Sequence, residues 1–561
     1  MTSSSPDLRR NPVLARCRKW LISPGVGPLA SVLIAFVGVV YGCFLRNPLV
    51  FDDYVIFESL VQDHADLLSH FTLRWFPYAS LDLTWRLVGV DLFWLHLGNL
   101  LLHAANAVLL FVLLRALFTV SLQAVEPPAG ALSLTWWAFF AALIFALHPV
   151  AVYGTAYLVQ RSILMATLFS LLSWGAYFRG LVQHKPGWFV AAVVFYFAAV
   201  FSKEHSIMAP GIALAGTFLL RQPSRALLRQ IWWPFLLFAL VGLGVVLKSR
   251  NLLWSAYEPA AMAMLAQLSE SRGAIDMAYA YPLSVLTQTA LFFKYLALWI
   301  VPFPGWMSID MREPFATSLV AWPQLLGGLG FVLYGVAGLK LLLARGRLGL
   351  LGLALLFPWI LFATELVSVR IQEPFVLYRS YLWMGGLFAS LPVLLGRLPA
   401  RLAFAVMLTI SVLLMPLSWN RLQTFSAPFL LWDDAEALVR DKTPTTNPYR
   451  IYYNRGNAYG KAGLRPQAIS DYSKAIQLNP GVAAMHNNRG FTYLELGQHA
   501  QALHDFDQAI ALNQNHAKAY IGRAFVYESY QSPDAALENF RISCALGLPA
   551  ACAKAQDLSA R

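Results

Sequence analysis

The stretch Gly27-Pro-Leu-Ala-Ser-Val-Leu-Ile-Ala-Phe-Val-Gly-Val-Val-Tyr-Gly-Cys-Phe-Leu45, with Pro48-Leu-Val-Phe-Asp-Asp-Tyr-Val-Ile-Phe57 two residues beyond it, decides how the rest of the chain is read. Its first part carries no charge and is long enough to cross a hydrocarbon layer of about 30 Å. It is too long and too poorly terminated for a cleaved signal peptide. Arg9, Arg10, Arg16, Arg18 and Lys19 precede it, and the positive-inside rule keeps that end in the cytoplasm. Asp52 and Asp53 then stand just past the span. Two acids at the mouth of a membrane cavity are suited to taking a proton from an incoming hydroxyl group. A helix start needs the same residues, because Asp caps N-termini and favours the first turn. From the pair alone, both readings stand.

The composition agrees with a membrane protein. Of 561 residues, 58% are hydrophobic and only 13% charged, and the mean hydropathy is +0.55. That excludes a soluble enzyme. The net charge of +13 calls for no nucleic-acid partner, since basic loops set membrane topology and meet anionic headgroups. Four cysteines are too few for a disulfide scaffold or a zinc site, and no metal cluster is expected. Cys544 and Cys552 have Gly547 and Pro549 between them. A turn there would permit a disulfide on an oxidising side of the membrane, although two helix-packing cysteines are the favoured reading.

Apolar segments recur near 27–45, 91–118, 134–156, 161–182, 188–203, 205–221, 231–248, 283–302, 320–344, 348–366, 381–396 and 402–418. Basic connections at Arg179 to Lys185, Arg221 to Arg229, Arg345 to Arg347 and Arg397 to Arg401 mark the cytoplasmic face. Alternate crossing works if 283–302 is re-entrant or lies on the surface; the other option is a weak span hidden in 252–280. The first choice gives about eleven spans and an external C-terminus. The expected order is a cytoplasmic basic N-terminus (1–26), a transmembrane domain (27–418) whose external loop 46–90 holds one or two surface helices, a linker (419–448) and a repeat domain (449–561).

Ionisable residues at span ends are costly and usually face a cavity. Alternate crossing puts Asp52, Asp53, His148, Arg161, Lys203, Glu204, Tyr378 and Arg379 on one face, opposite the basic loops. Any one of them could be an interfacial anchor. Together they suit a phosphate-bearing lipid, with cations for phosphate and carboxylates for proton transfer and hydroxyls. A transporter would hold such residues near the midplane in inverted repeats, and no such symmetry is visible.

After the last span a 34-residue period appears. Gly456, Gly490 and Ala524 share one phase; Ala468, Ala502 and Ala536 share another. Small residues at these positions let two helices approach while Tyr472, Phe506 and Phe540 fill the seam. This is the tetratricopeptide pattern, about three repeats plus a C-terminal cap, whose groove suits a protein partner.

Val50-Phe-Asp-Asp-Tyr54, His96-Leu-Gly-Asn-Leu-Leu-Leu-His103, His148-Pro-Val with Gln160-Arg-Ser, and Phe201-Ser-Lys-Glu204 occur in this order before the repeats. The set resembles the transmembrane and tetratricopeptide repeat-containing proteins whose eukaryotic members are protein O-mannosyltransferases, in the GT-C glycosyltransferase superfamily. The resemblance implies an all-α GT-C-like membrane domain. It implies a polyprenyl-phosphate sugar as donor, with no further cofactor, used on the external face. The family's acidic pair falls on Asp52-Asp53, its Arg after His-Pro on Arg161 and its Lys-Glu on Lys203-Glu204. The chain departs from the family at Arg74-Trp-Phe-Pro-Tyr, where relatives often carry Arg-Pro-Leu, and around Glu373 to Tyr381.

The expectation is therefore a membrane glycosyltransferase with Asp52 as base, Asp53 orienting, and His148, Arg161, Lys203, Glu204, Tyr378 and Arg379 binding the lipid phosphate or sugar. The acceptor would be a protein hydroxyl or an envelope glycan. The repeats contain no Asn-x-Ser/Thr sequon, which favours a bacterial inner membrane, with loop 46–90 and the repeats on the periplasmic side. The alternative is a non-catalytic membrane scaffold recruiting partners through its repeats.

Overall fold

A computed structural model describes residues 25–62, 71–89, 91–122, 131–253, 255, 279–440 and 447–560. The basic N-terminus and most of the stretch 252–280 lie outside the described residues. Every regular element among those described is helical. The chain divides into two compact units, Met1–Met307 with Phe315–Ala427, and Ser308–Pro314 with Pro428–Arg561.

In the first unit the helices are apolar on both sides. Val26–Tyr41 buries Leu29, Leu33, Val37 and Val40 at helical spacing, yet leaves Ile34 and Val39 exposed. Arg225–Lys248 likewise exposes Leu236, Leu240, Leu243 and Leu247. Water would penalise such surfaces; lipid does not, and a helix satisfies its backbone internally. Among the described residues, eight helices are long and apolar enough to cross a membrane, or nine if the bent pair Leu134–Ala146 and Pro149–Thr155 is one span.

This falls short of the expected eleven spans in three places. Segment 188–203 forms the shorter helix Pro186–Val200, 205–221 forms only Ala209–Leu220, and 381–396 breaks into short helical pieces around Gly385 and Pro392. Conversely, Ala280–Ile300 has the length and apolarity of a span. Its first turns nonetheless pack against Phe315, Ala316 and Ala321, so the chain returns to the end it left. Loop 46–90 contains the helices Asp53–Gln62 and Trp75–Val88.

The second unit is a solenoid of helix pairs: Tyr449–Lys461 with Arg465–Leu478, Ala483–Glu495 with His499–Leu512, and Ala517–Ser529 with Pro533–Ala545, closed by Pro549–Ser559. Ala468, Ala502 and Ala536 are fully buried at the seams. Gly463 and Gly497 turn the chain with left-handed φ of 75° and 71°; Gln531 takes the same position at 55°, which weakens the third repeat's signature in sequence. A ladder of arginines crosses each pair. Arg455 bonds Asp471, Arg489 bonds Asp505, and Arg523 bonds Asn539, each with its partner sixteen residues on.

Two expectations are corrected in this unit. Much of the 419–448 linker is helical: Ala400–Thr424 runs on past 418, and Pro428–Val439 is a further helix. The latter buries Leu431, Trp432, Ala435 and Val439, and its Asp433 bonds Arg455 and Tyr459 of the first repeat. The solenoid thus begins one helix early. Cys544 and Cys552 form a disulfide instead of packing as free thiols, because the turn at Gly547 (φ 90°) brings the last two helices together.

Candidate functional site

The acidic pair is split by the turn that carries it. Phe51 takes a left-handed φ of 46°, uncommon for a bulky side chain and a marker of imposed local geometry. That turn sends Asp53 inward, where it is fully buried. One of its carboxylate oxygens accepts the Val50 amide at 3.1 Å and the other accepts the Val159 amide at 2.8 Å. Burial pushes its carboxyl up to about 7, against the pull of the Val159 and Val50 amides. Asp52 is exposed, and its backbone amide donates to the Tyr157 hydroxyl at 3.0 Å.

Tyr157 is the bridge to the cations. Its ring meets Tyr378 edge-on at 6.1 Å, and the ammonium of Lys203 lies 4.7 Å from the Tyr378 ring centre. Lys203 is buried and donates to Gln160 Oε1 at 2.8 Å and to Ser162 Oγ at 3.4 Å. Those partners are neutral.

Around Lys203 lies an ion-pair chain. Arg74, at a left-handed φ of 96°, grips Glu204 through Nε at 3.1 Å and Nη2 at 2.6 Å. Burial raises the Glu204 carboxyl, but the guanidinium outweighs it and holds the group well below its ordinary value. His205 contacts Glu204 at 3.5 Å and Glu365 at 2.8 Å. Glu365, fully buried, also holds Arg379 at 2.9 Å and Arg370 at 3.5 Å. Three arginines and His205 thus gather around two carboxylates.

Of the sequence-predicted residues, Asp52, Lys203, Glu204, Tyr378 and Arg379 come together here. Three take other places. Asp53 clamps the first loop to the 158–160 turn. Arg161 is a girder: it donates to Asn99 Oδ1 at 2.9 Å, to the Leu95 carbonyl at 2.7 Å and to the Ser80 carbonyl at 3.3 Å. A Cβ at Gly98 would lie 2.8 Å from its guanidinium. His148 is buried in the break before Pro149, accepts the Val150 amide through Nδ1 at 3.3 Å and stacks on Trp299 at 4.2 Å. Proline forces the preceding residue out of the helical region, and this His caps the helix that restarts.

Tyr157, Glu365 and Arg370 were not expected. Glu365 carries a legible signal, as it is the single charged residue of the apolar run 348–366. Arg74 stands where the family resemblance breaks down, yet it supplies the partner of Glu204.

Residues 449–482 and 483–516 match the tetratricopeptide repeat family. No curated protein matches the chain. Among solved structures, the first tetratricopeptide domain of Spaghetti (RPAP3), bound to an HSP90 peptide, is 26% identical, covering 20% of this chain and 90% of that one at TM-score 0.19. The Arabidopsis OM64 tetratricopeptide domain is 28% identical, covering 20% and 93% at TM-score 0.20. MamA is 20% identical, covering 26% and 86% at TM-score 0.21. The chain therefore carries tetratricopeptide repeats, a fold suited to protein-interaction scaffolds, behind helices long and apolar enough to span a membrane.

Proposed function

We propose that the first unit is a membrane glycosyltransferase that takes a sugar from a polyprenyl-phosphate donor, while the repeats hold a protein acceptor or partner. One observation carries the reading. Lys203 is a buried amine whose hydrogen-bond partners are neutral, and contacts through Tyr378 and Tyr157 link it to the Asp52 turn. Burial holds the Lys203 amine well below its ordinary value, with Glu204 and Glu365 acting on it only from beyond hydrogen-bond contact; a phosphate monoester in direct contact would favour its charged form. The ordered resemblance to GT-C proteins adds the sugar.

In this mechanism Asp52 removes the acceptor's hydroxyl proton as that oxygen attacks the anomeric carbon. The bond from that carbon to the phosphate oxygen breaks, and polyprenyl phosphate leaves with the electron pair. Lys203, with Arg379 held in place by Glu365, stabilises the departing charge. A single displacement inverts the anomeric centre. Asp53 holds the loop.

Sidedness follows the same reading. Arg345 donates to the Arg221 carbonyl and Arg221 to the Leu181 carbonyl, so three basic connections adjoin. Helix Arg161–Gln183 runs from the Asp52 side toward them. The positive-inside rule then puts Asp52 outside, where the Cys544–Cys552 bond would persist.

The repeats favour a second reading, a non-catalytic scaffold. The family match covers the repeats alone and backs partner binding more directly than chemistry. Labelled sugar supplied on membrane lipid extracts to the purified full chain separates the two. Asp52-dependent transfer to a co-purifying protein supports the enzyme; a bound partner without transfer supports the scaffold.

A further inference from the structure

The last turns of Arg161–Gln183 and the second half of Leu92–Leu122 enclose a cleft of about 410 Å³. That volume lies within the range of about 300–1,000 Å³ usual for sites that take small ligands. Leu113, Leu117, Val120, Leu172 and Phe195 contribute to an almost wholly apolar wall. The polar lining is confined to one end, at Arg179 and Gln183. Arg179 lies 5.1 Å from the ring centre of Trp188, whose indole donates to Gln183.

Among the described residues, the surroundings of this end are basic. Arg221 donates to the Leu181 carbonyl and contacts His184, and Arg345 donates to the Arg221 carbonyl. These arginine partners are neutral. Between Glu204 and Glu258, and between Gln324 and Thr364, the sequence has no Asp or Glu. An apolar slot whose described polar end is basic complements a molecule with a hydrocarbon chain and an anionic head.

We infer that this cleft binds one acyl chain of an anionic phospholipid from the leaflet facing the basic loops, with its phosphate at Arg179. The site lies at the opposite end of Arg161–Gln183 from Asp52. It therefore rests on the membrane reading of the first unit and not on glycosyl transfer. The bound lipid would act as a wedge between Leu92–Leu122 and Arg161–Gln183.

A filling variant is available because a Cβ at Gly175, in the cleft wall, would meet nothing within 4 Å. Leucine also favours a helix over glycine. The full chain in detergent, titrated with palmitoyl-oleoyl phosphatidylglycerol or phosphatidylcholine, would be read by native mass spectrometry. The expected result is one phosphatidylglycerol retained through delipidation, and at least ten-fold weaker retention in Gly175→Leu. Arg179→Gln should keep the lipid but reduce the preference for phosphatidylglycerol about five-fold, the contribution of one cation at a membrane surface. Equal retention of both lipids by the wild type, or unchanged retention in a folded Gly175→Leu, overturns the proposal. Displacement of the retained phosphatidylglycerol by stoichiometric polyprenyl phosphate also overturns it, since the slot would then belong to the donor's tail. Loss of sugar transfer with lipid retention intact would sink the enzyme reading and leave this one standing.

Discussion

The carboxylate of Asp53 accepts the amide of Val159 at 2.8 Å across 106 residues, while its neighbour Asp52 stays exposed. Adjacent and chemically identical in sequence, the two acids have separate work: one fastens the first loop to the turn before Arg161–Gln183, and the other faces outward.

Substitution should separate those roles. Asp52→Asn keeps the shape and removes the basicity, so transfer should fall by roughly 10²–10⁴ with thermal stability unchanged. Asp53→Asn turns an acceptor into a donor facing one of the two amides. It should cost about 1–3 kcal/mol of stability, seen as a lower Tm, with activity lost only as the fold is lost. Full transfer in Asp52→Asn would remove the base from the scheme.

The raised Asp53 carboxyl also makes stability depend on pH. With a folded value of about 7 against an ordinary value of about 4, the native state binds a proton that the unfolded chain has already released. The contribution is complete below about pH 4, declines as pH rises and is gone above about pH 7. The Tm difference between wild type and Asp53→Asn should shrink across this window. A difference that grows with pH would mean the two amides outweigh burial.

Lys203→Met removes a buried amine whose hydrogen-bond partners are neutral. Replacing buried charge with apolar volume is often neutral or stabilising, so the ligand-free Tm should hold or rise. The stabilisation conferred by added polyprenyl phosphate should disappear, because it depends on binding to the native state. A drop in ligand-free Tm with ligand stabilisation intact would make Lys203 a structural residue.

Glu365→Gln should be more damaging than either acid of the pair. Arg379, Arg370 and His205 converge on this carboxylate, and breaking a buried ion pair by removing one partner costs about 3–5 kcal/mol. Poor expression or a markedly lower Tm is expected. The variant's circular dichroism melt checks it against wild type.

A reporter fused after Arg561 should be active only in the extracytoplasmic compartment, and chain recovered there should resist thiol labelling at Cys544 and Cys552 until reduced. Cytoplasmic reporter activity would overturn this sidedness and mean that the repeats cannot meet an external acceptor.

Local pattern alone determined the helical class, the membrane-length apolar runs and the repeats, since charge-free length and a 34-residue period are properties of neighbours along the chain. It also singled out Asp52, Lys203 and Arg379 through the cost of placing ions at span ends. Three things were decided only in three dimensions. Arg161 and Lys203 look alike in sequence, but Arg161 meets Asn99 and the Leu95 carbonyl and is consumed by them, whereas Lys203 meets neutral groups and an aromatic face. Glu204 finds Arg74 from 130 residues away, a pairing no spacing rule contains. Asp53 turns inward because Phe51 accepts a left-handed backbone that the loop's closure imposes. A residue's type limits which bonds it can form; which of them it forms depends on partners that only the folded chain brings within reach.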